Sequence, residues 1–151
     1  MKRTTFESLV DKAFYGLEAQ YGFKKIEAIL TDHGAAIRYR NTTTELCLNY
    51  SLGNPIWLEI MDLNHPENKS TLGWLLVERG EQRSPTVAQA FHATGPKDNE
   101  IEGILKTIIQ QVMDHGADLL KGDFTILPKL QQRAKRYDAE CKRYLAVHNK
   151  P

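Results

Sequence analysis

The spacing of hydrophobic residues changes twice along this chain, and these changes constrain its fold more than any other feature. Near the start, apolar residues recur every three or four positions, which is typical of one helix face: Phe6, Leu9, Val10, Ala13, Phe14 and Leu17. From about residue 23 onward, apolar and polar residues alternate, as they do in half-buried strands. After residue 99 the helical spacing returns. The sequence therefore predicts a set of strands that follows one helix and precedes further helices along the chain.

The first helix is predicted over residues 5–21. Thr4 and Glu7 have the spacing of a capping box, in which each side chain binds a backbone N–H of the other residue at the helix start. Gly22 follows the last residue of the apolar stripe, and glycine ends helices readily because it adopts the left-handed conformation.

Strands are predicted at residues 23–30, 35–40, 45–50 and 56–61, with a fifth at 72–78. Polar turns of a few residues separate the first four strands. Gly34 lies in the first of these turns, where a positive φ is expected. Parallel strands need long crossover connections, so these short turns predict an antiparallel meander of four to five strands.

Two helices are predicted after the sheet, over residues 99–120 and from Thr125 onward. Gly116 marks an expected kink in the first of them, and Gly122 its end. Pro128 fits the second helix because it falls in the first turn, where a missing N–H costs no hydrogen bond. The predicted buried stripe of this last helix is Leu127, Leu130, Ala134, Tyr137, Cys141 and Tyr144. Residues 80–98 are predicted to form a polar loop, and the sequence does not decide whether residues 85–93 within it form a short helix.

These elements predict an α+β fold in one domain over residues 1–151. The N-terminal helix, the antiparallel meander and the two C-terminal helices each have only one apolar face. We therefore expect the helices to pack mainly on one face of the sheet. A chain of this length buries enough surface to fold without disulfides or metals.

The sequence also predicts a cytoplasmic protein that does not enter a membrane. The basic start, Met1-Lys2-Arg3, is not followed by the apolar stretch of a signal peptide. No apolar run approaches the roughly 20 residues that span a bilayer. Only Cys47 and Cys141 are present, and we expect both to be reduced thiols.

No catalytic residue, metal site or cofactor is predicted from the residue pattern. The histidines are at least 23 positions apart and offer no close pair of metal ligands: His33, His65, His92, His115 and His148. Cys47 is expected on the sheet face away from the core near Arg38, and Cys141 in the buried helical stripe. An enzyme or small-ligand binder whose site assembles from distant residues, such as Glu59 and Arg38 around an apolar pocket, stays an alternative.

The outer face of the predicted sheet carries two features of interest. The first is a set of alternating charges, which indicates either a solvated ionic face or a polar binding platform: Lys25, Glu27, Arg38, Glu45 and Glu59. The second is the pair Trp57 and Met61, which alternation places on the same face. They indicate either a protein interface or a surface covered by the 80–98 loop or a helix.

Charge is unevenly distributed along the chain. Residues 121–151 hold eight basic and three acidic side chains, a net charge of +5, which leaves −4 in the other 120 residues. Four basic residues share one face of the last helix: Lys129, Arg133, Arg136 and Arg143. Such a face is either simply solvated or binds nucleic acid. Nucleic-acid binding would also need exposed aromatic rings on which bases stack, and the sequence predicts that Tyr137 and Tyr144 are buried.

Four segments carry a resemblance: LEAQYGF at 17–23, AAIRYR at 35–40, LCLNY at 46–50 and ADLLKGDF at 117–124. Together they resemble small bacterial α+β proteins, some of which are immunity proteins encoded beside polymorphic toxins. A terminal helix before an antiparallel sheet is also similar to secretion chaperones. The resemblance implies a non-enzymatic protein that binds another protein, with a homodimer as a further expectation and nucleic-acid binding as the alternative.

Overall fold

The computed structural model describes residues 3–51, 53–81 and 98–148, with side chains from residue 5 in the first range and from residue 99 in the last. Helices and strands follow in the order α1 (Arg3–Tyr21), β1 (Lys24–Leu30), β2 (Gly34–Arg40), β3 (Thr44–Ser51), β4 (Trp57–Asp62), β5 (Lys69–Thr71), α2 (Leu72–Glu78), α3 (Asp98–His115), α4 (Ala117–Leu120) and α5 (Leu127–His148). The first helix and the first four strands lie within two residues of their predicted boundaries.

The strands form one antiparallel meander in the order β1-β2-β3-β4-β5, as predicted. Ile37, Leu48 and Leu58 lie side by side across β2, β3 and β4, and all three are buried. One position further along β2, Arg38 lies beside Cys47, and Cys47 beside Glu59. Alternation along β2, β3 and β4 thus separates an apolar inner face from an outer face that carries charge.

The hydrophobic core lies between the inner face of the sheet and the helices. Every helix contributes buried residues to it, from Phe14 of α1, which stacks on Tyr39 at 4.0 Å between ring centroids, to Leu130 of α5. Burying a leucine- or phenylalanine-sized side chain contributes about 1.5–3 kcal/mol. The predicted α+β fold, with helices on one face of the sheet, is confirmed.

The predicted fifth strand at 72–78 is wrong, because this segment forms α2. Leu72, Leu75 and Leu76 are buried on one side of it, at helical spacing, while Trp74 points toward Tyr137 of α5. A run of consecutive apolar residues fits both a buried strand and a buried helix, so spacing alone does not separate them. The fifth strand is instead the three-residue β5 directly before α2.

Two predicted helix ends are confirmed by their backbone geometry. Gly22 and Gly122 have φ values of 74° and 95°. The expectation of a positive φ at Gly34 is wrong. A Cβ on Gly34 would lie 2.4 Å from the carbonyl oxygen of Tyr50 on the neighbouring strand, so this glycine is required by close backbone approach.

The predicted kink at Gly116 is a complete break between α3 and α4. A Cβ there would lie 2.9 Å from the carbonyl oxygen of Val112. Pro128 lies in the first turn of α5, as predicted. The open question of a helix at 85–93 falls outside the described residues. Among the described helices, none combines the length and the hydrophobicity that spanning a lipid bilayer requires.

One amide side chain joins the sheet to the ends of two helices. Asn41, in the turn between β2 and β3, donates hydrogen bonds to the carbonyl oxygens of Tyr21 and Leu120, at 3.1 and 2.9 Å. Its own oxygen accepts from the backbone N–H groups of Thr43 and Thr44. The Thr44 hydroxyl donates to the carbonyl of Leu119 at 2.7 Å. Carbonyls at helix ends lack intrahelical partners, so these bonds cap α1 and α4.

Candidate functional site

A buried carboxylate lies on the outer face of the sheet, at the start of the central strand β3. Glu45 is only 1 % exposed, yet it receives two guanidinium groups, from Arg38 at 3.0 Å and from Arg40 at 2.8 Å. Arg38 also contacts Glu27 at 3.1 Å. A buried charge is tolerated only when it is paired and hydrogen-bonded, so this cluster holds its four side chains in one arrangement. We call these four residues the outer-face ion cluster.

Lys25 was expected in this cluster and is not part of it. Its ammonium group contacts Glu7 at 2.7 Å and Asp11 at 3.0 Å, both on α1. The pairing of β1 with β2 shifts by one residue between Lys25 and Glu27. Such a bulge changes which face the preceding residues occupy, so simple alternation gave the wrong side for Lys25. The hydrogen bond to Glu7 raises the pKa of Lys25 above its ordinary value.

Trp57 and Met61 both lie on the outer face, as predicted. Along β4, Leu58 and Ile60 are buried, whereas Trp57 is 38 % exposed and Met61 is partly exposed. Glu59 lies between them on the same face and directly beside Cys47. Trp57 therefore offers a large aromatic surface on the same sheet face as Glu59 and the outer-face ion cluster.

A cavity of about 500 Å³ opens beside Trp57, at the start of β4. Its lining is mainly apolar and comes from four parts of the chain: Ser51, Asn54, Pro55, Ile56, Trp57, Leu58, Thr71, Leu72, Gly73 and Ile108. Two of its polar side chains bind each other, since Asn54 donates to the hydroxyl oxygen of Ser51 at 2.8 Å. Neither Glu59 nor Arg38 lines this cavity. The structure therefore does not bring these two residues together around the apolar cavity, as the small-ligand alternative requires.

The two cysteines occupy different environments. Cys47 is buried beside Arg38 on the outer face, at 4 % exposure, and its thiol donates to Asn49 at 3.6 Å. Burial raises the pKa of this thiol, and the opposing effect of Arg38 is smaller. The thiol therefore stays protonated at neutral pH, a poor state for a nucleophile. Cys141 is a free thiol and partly exposed, so its predicted place in the core is wrong.

The described histidines are held in separate local contacts. His65 lies 3.4 Å from Asp62, and His115 lies 3.4 Å from Glu81. His148 stacks on Tyr144 with 3.9 Å between ring centroids, and His33 is exposed in the β1–β2 turn. His92 falls outside the described residues. In the part of the chain that is described, no group of three or more His, Cys, Asp or Glu residues is arranged to hold a metal ion.

The predicted basic face of α5 is divided between two roles. Lys129 and Arg133 each approach Glu78 of α2 at 2.6 Å. The hydrogen bond from Lys129 is the main reason that the pKa of Glu78 is lowered. Arg136 and Arg143 make no ion pair with any described residue. Lys129 and Arg133 therefore attach α5 to α2, whereas Arg136 and Arg143 are available to bind a partner.

The second half of α5 departs most from the prediction. Leu127 and Leu130 are buried as expected, but Tyr137 and Tyr144 are exposed. Leu145 and Val147 are exposed as well, so that these four side chains are between 48 % and 67 % accessible. We call residues 127–134 the proximal half of α5 and residues 137–148 its distal half. The predicted buried stripe is correct for Leu127 and Leu130 of the proximal half, where Ala134 is partly buried, and wrong for the distal half.

Sequence reasoning missed two features of α5. Glu78 gave no signal, because its partners lie 51 and 55 positions later in the chain. The exposed surface of the distal half did leave a signal in the sequence. Leu145 and Val147 lie beside the predicted stripe and widen it, although no buried partner was assigned to them.

Comparison with protein-family models, curated proteins and solved structures finds no significant match.

Proposed function

We propose that this protein acts by binding another protein and that Trp57 is the centre of the binding surface. The observation that carries the proposal is the exposed ring of Trp57, which lines the apolar cavity and lies on the same sheet face as the outer-face ion cluster. Tryptophan is enriched among the residues that dominate binding energy, and such residues pair with pockets on the partner. A partner side chain that enters the cavity would contact Trp57 and the apolar floor together.

The outer-face ion cluster gives this surface specificity. Glu45 is fixed by Arg38 and Arg40, so the positions of these charges are set before a partner arrives. Fixed charges at an interface orient the partner and disfavour wrong ones, while the apolar centre supplies most of the affinity. We expect the partner to present an apolar or aromatic side chain flanked by groups of complementary charge.

Binding is favoured over catalysis because the reactive side chains already have structural partners. Cys47 is buried and protonated, Glu45 is neutralised by two arginines, and Glu78 binds α5. In keeping with the resemblance described above, we propose a cytoplasmic, immunity-like or chaperone-like bacterial protein. A toxin or a secreted protein is the class of partner that this implies.

The experiment is affinity capture from the native host with three forms of the protein: the wild type, Trp57→Ala and Tyr15→Ala. Tyr15 is 71 % exposed on α1 and serves as a matched control for loss of an exposed aromatic. We expect a stoichiometric partner with the wild type and with Tyr15→Ala, and its loss with Trp57→Ala. Equal recovery with all three forms would contradict the role of Trp57.

Nucleic-acid binding is a second candidate, favoured by one observation on the distal half of α5. Tyr137 and Tyr144 are exposed there, near Arg136 and Arg143, which make no ion pair with described residues. Aromatic rings among cations are what single-stranded nucleic acids stack on. Titration of a labelled single-stranded oligonucleotide tests this, and absence of binding at about 50 mM salt would exclude it, because electrostatic contacts are strong at low salt.

A further inference from the structure

We propose that the distal half of α5 pairs with the distal half of α5 in a second copy of this chain, with the two helices antiparallel. This surface is separate from the one around Trp57, so the proposal does not depend on the proposed function. It concerns the apolar side chains that α5 exposes after residue 134.

The spacing of residues along α5 is that of a coiled-coil seam. Apolar, aromatic or small residues recur at alternating steps of three and four over the whole helix: Leu127, Leu130, Ala134, Tyr137, Cys141, Tyr144 and His148. The first two are used by the core of the same chain. Leu145 and Val147 flank the seam on its two sides and are exposed. From residue 137 onward, the seam is therefore complete, and among the described residues it is exposed apart from the edge contact of Tyr137 with Trp74 and the partial burial of Cys141.

The aromatic rings of this seam are already held in place. Tyr137 makes an edge contact with Trp74 at 5.5 Å between ring centroids. Tyr144 stacks on His148 at 3.9 Å. Ordering side chains is one of the costs of association, and rings that are fixed beforehand lose less freedom on binding.

Side-chain sizes favour the antiparallel arrangement. If the helices cross between residues 142 and 143, Cys141 of one copy faces Tyr144 of the other, and Tyr137 faces His148. A small side chain then receives a large one at the two central layers, as close packing requires. A parallel pair would place Tyr144 against Tyr144 and Cys141 against Cys141. In the antiparallel pair, the sheets of the two copies also lie at opposite ends of the paired helices.

Charge favours a second copy over an acidic or a nucleic-acid partner. The distal half contains two acidic and two basic residues, Asp138, Glu140, Lys142 and Arg143, so its formal net charge is zero with histidine neutral. Asp138 precedes Lys142 by four positions and Glu140 precedes Arg143 by three, which are favourable spacings within one helix. Two such segments do not repel each other. Lys135 and Arg136 lie just before the paired residues and give positions 135–148 a net charge of +2, so the neutral seam alone is the surface that suits a second copy.

The size of the contact predicts a reversible dimer. Twelve helical residues extend for about 18 Å, so the shared seam is short. Interfaces below the standard size are typical of transient complexes. We therefore expect dimers at high protein concentration and monomers after dilution. A dimer would also present two Trp57 surfaces and strengthen binding to a partner with repeated sites.

Sedimentation or light scattering over a range of protein concentrations tests the proposal. We expect the wild type to approach twice the monomer mass, and Tyr144→Glu to stay a monomer because it places a carboxylate in a central layer. Ala146→Glu is the matched control: it adds the same charge two residues later, on the opposite side of the helix, and Ala146 is exposed. This variant should dimerise within about twofold of the wild type, and unchanged circular dichroism confirms folding of both variants.

Cys141 offers a second measurement, because the proposed pairing brings the two copies of this residue near the crossing point. A short bis-maleimide should link two wild-type chains, while Cys141→Ser should stay unlinked, since Cys47 is buried. A wild type that is monomeric at about 1 mM would overturn the proposal. So would a dimer that Tyr144→Glu leaves intact, or one that nuclease treatment abolishes; this last outcome would favour nucleic acid as the occupant.

Discussion

The two halves of α5 have the same heptad spacing but opposite surroundings. In the proximal half, Leu127 and Leu130 are buried, and Lys129 and Arg133 bind Glu78. In the distal half, every seam residue after Ala134 is partly or fully exposed. Amphipathic spacing therefore identifies the apolar side of a helix. Whether that side is buried depends on the elements that pack against it.

This difference also separates two kinds of interaction on one helix. The proximal half stabilises the fold of a single chain. The distal half contributes little to that fold and is available for association. Four substitutions that act on the proximal half test the division, and three of them have a matched change in the distal half. All are measured at low protein concentration, where the proposed dimer is expected to dissociate.

The largest effect is expected for Leu130→Ala in the proximal half. Loss of a fully buried leucine side chain lowers the free energy of unfolding by about 2–5 kcal/mol, since it leaves a cavity in the core. The matched exposed change, Tyr144→Ala, should alter it by no more than about 0.5 kcal/mol. Urea denaturation followed by circular dichroism measures both. Similar losses for the two variants would remove the distinction between the halves.

Glu78→Gln is expected to have the next largest effect. The neutral amide retains the shape of the side chain but loses the charge that Lys129 and Arg133 contact. Hydrogen bonds to charged groups contribute about 1.5–3 kcal/mol, and solvent around the exposed Lys129 and Arg133 weakens these contacts, so we expect a loss of about 1–2 kcal/mol. Glu140→Gln in the distal half is the control, and it should leave the free energy of unfolding within about 0.5 kcal/mol of the wild type.

The same glutamate gives a pH dependence of defined sign. The pKa of Glu78 is lowered from its ordinary value of 4.5, mainly by the hydrogen bond from Lys129. A carboxyl group with a lowered pKa in the folded state stabilises that state above the unfolded pKa, and this stabilisation is lost as the pH falls through the folded value. Between pH 5 and 3 the wild type should therefore lose more stability than Glu78→Gln. Parallel curves for the two proteins would contradict this assignment.

A smaller effect is expected for Gln131→Ala. The amide of Gln131 donates to the carbonyl oxygens of Glu67 and Lys69 at 2.7 and 3.1 Å, and so attaches α5 to the edge of β5. Loss of these bonds should cost about 1 kcal/mol. Amide exchange of β5 should become faster, while exchange in β2 and β3 changes little. Unchanged exchange in β5 would show that the glutamine does not protect this edge.

The smallest effects are expected from glycine substitutions at two exposed positions one heptad apart. Gln132→Gly in the proximal half should cost about 0.5–1 kcal/mol, because glycine is a poor helix former. Ala139→Gly in the distal half should change the unfolding midpoint less, since this half opens without disturbing the core. A larger loss for Ala139→Gly would mean that the distal half belongs to the cooperative core.

Much of the fold follows from local spacing, but contacts between distant segments do not. The alternation of Leu58 and Ile60 with Trp57 and Met61 predicts which side of β4 is buried, and the structure agrees. The segment 72–78 was misassigned because its consecutive apolar residues fit either period. Lys25 was misplaced by a bulge that no spacing rule reveals. Of the candidate site, Trp57 and the outer-face charges were predicted; the cavity beside Trp57 and the exposure of distal α5 depend on tertiary packing.

The hydrogen bonds of Asn41 have a consequence for how this chain folds. Its amide cannot bond with both carbonyls until residues 20 positions before it and 79 positions after it have come together. Closing a long loop costs conformational entropy before its contacts form. The β2–β3 hairpin therefore reaches its final stability only when the C-terminal helices have docked. We expect the meander and these helices to melt in a single transition, whereas a fragment that ends before Leu120 would leave the hairpin incompletely stabilised.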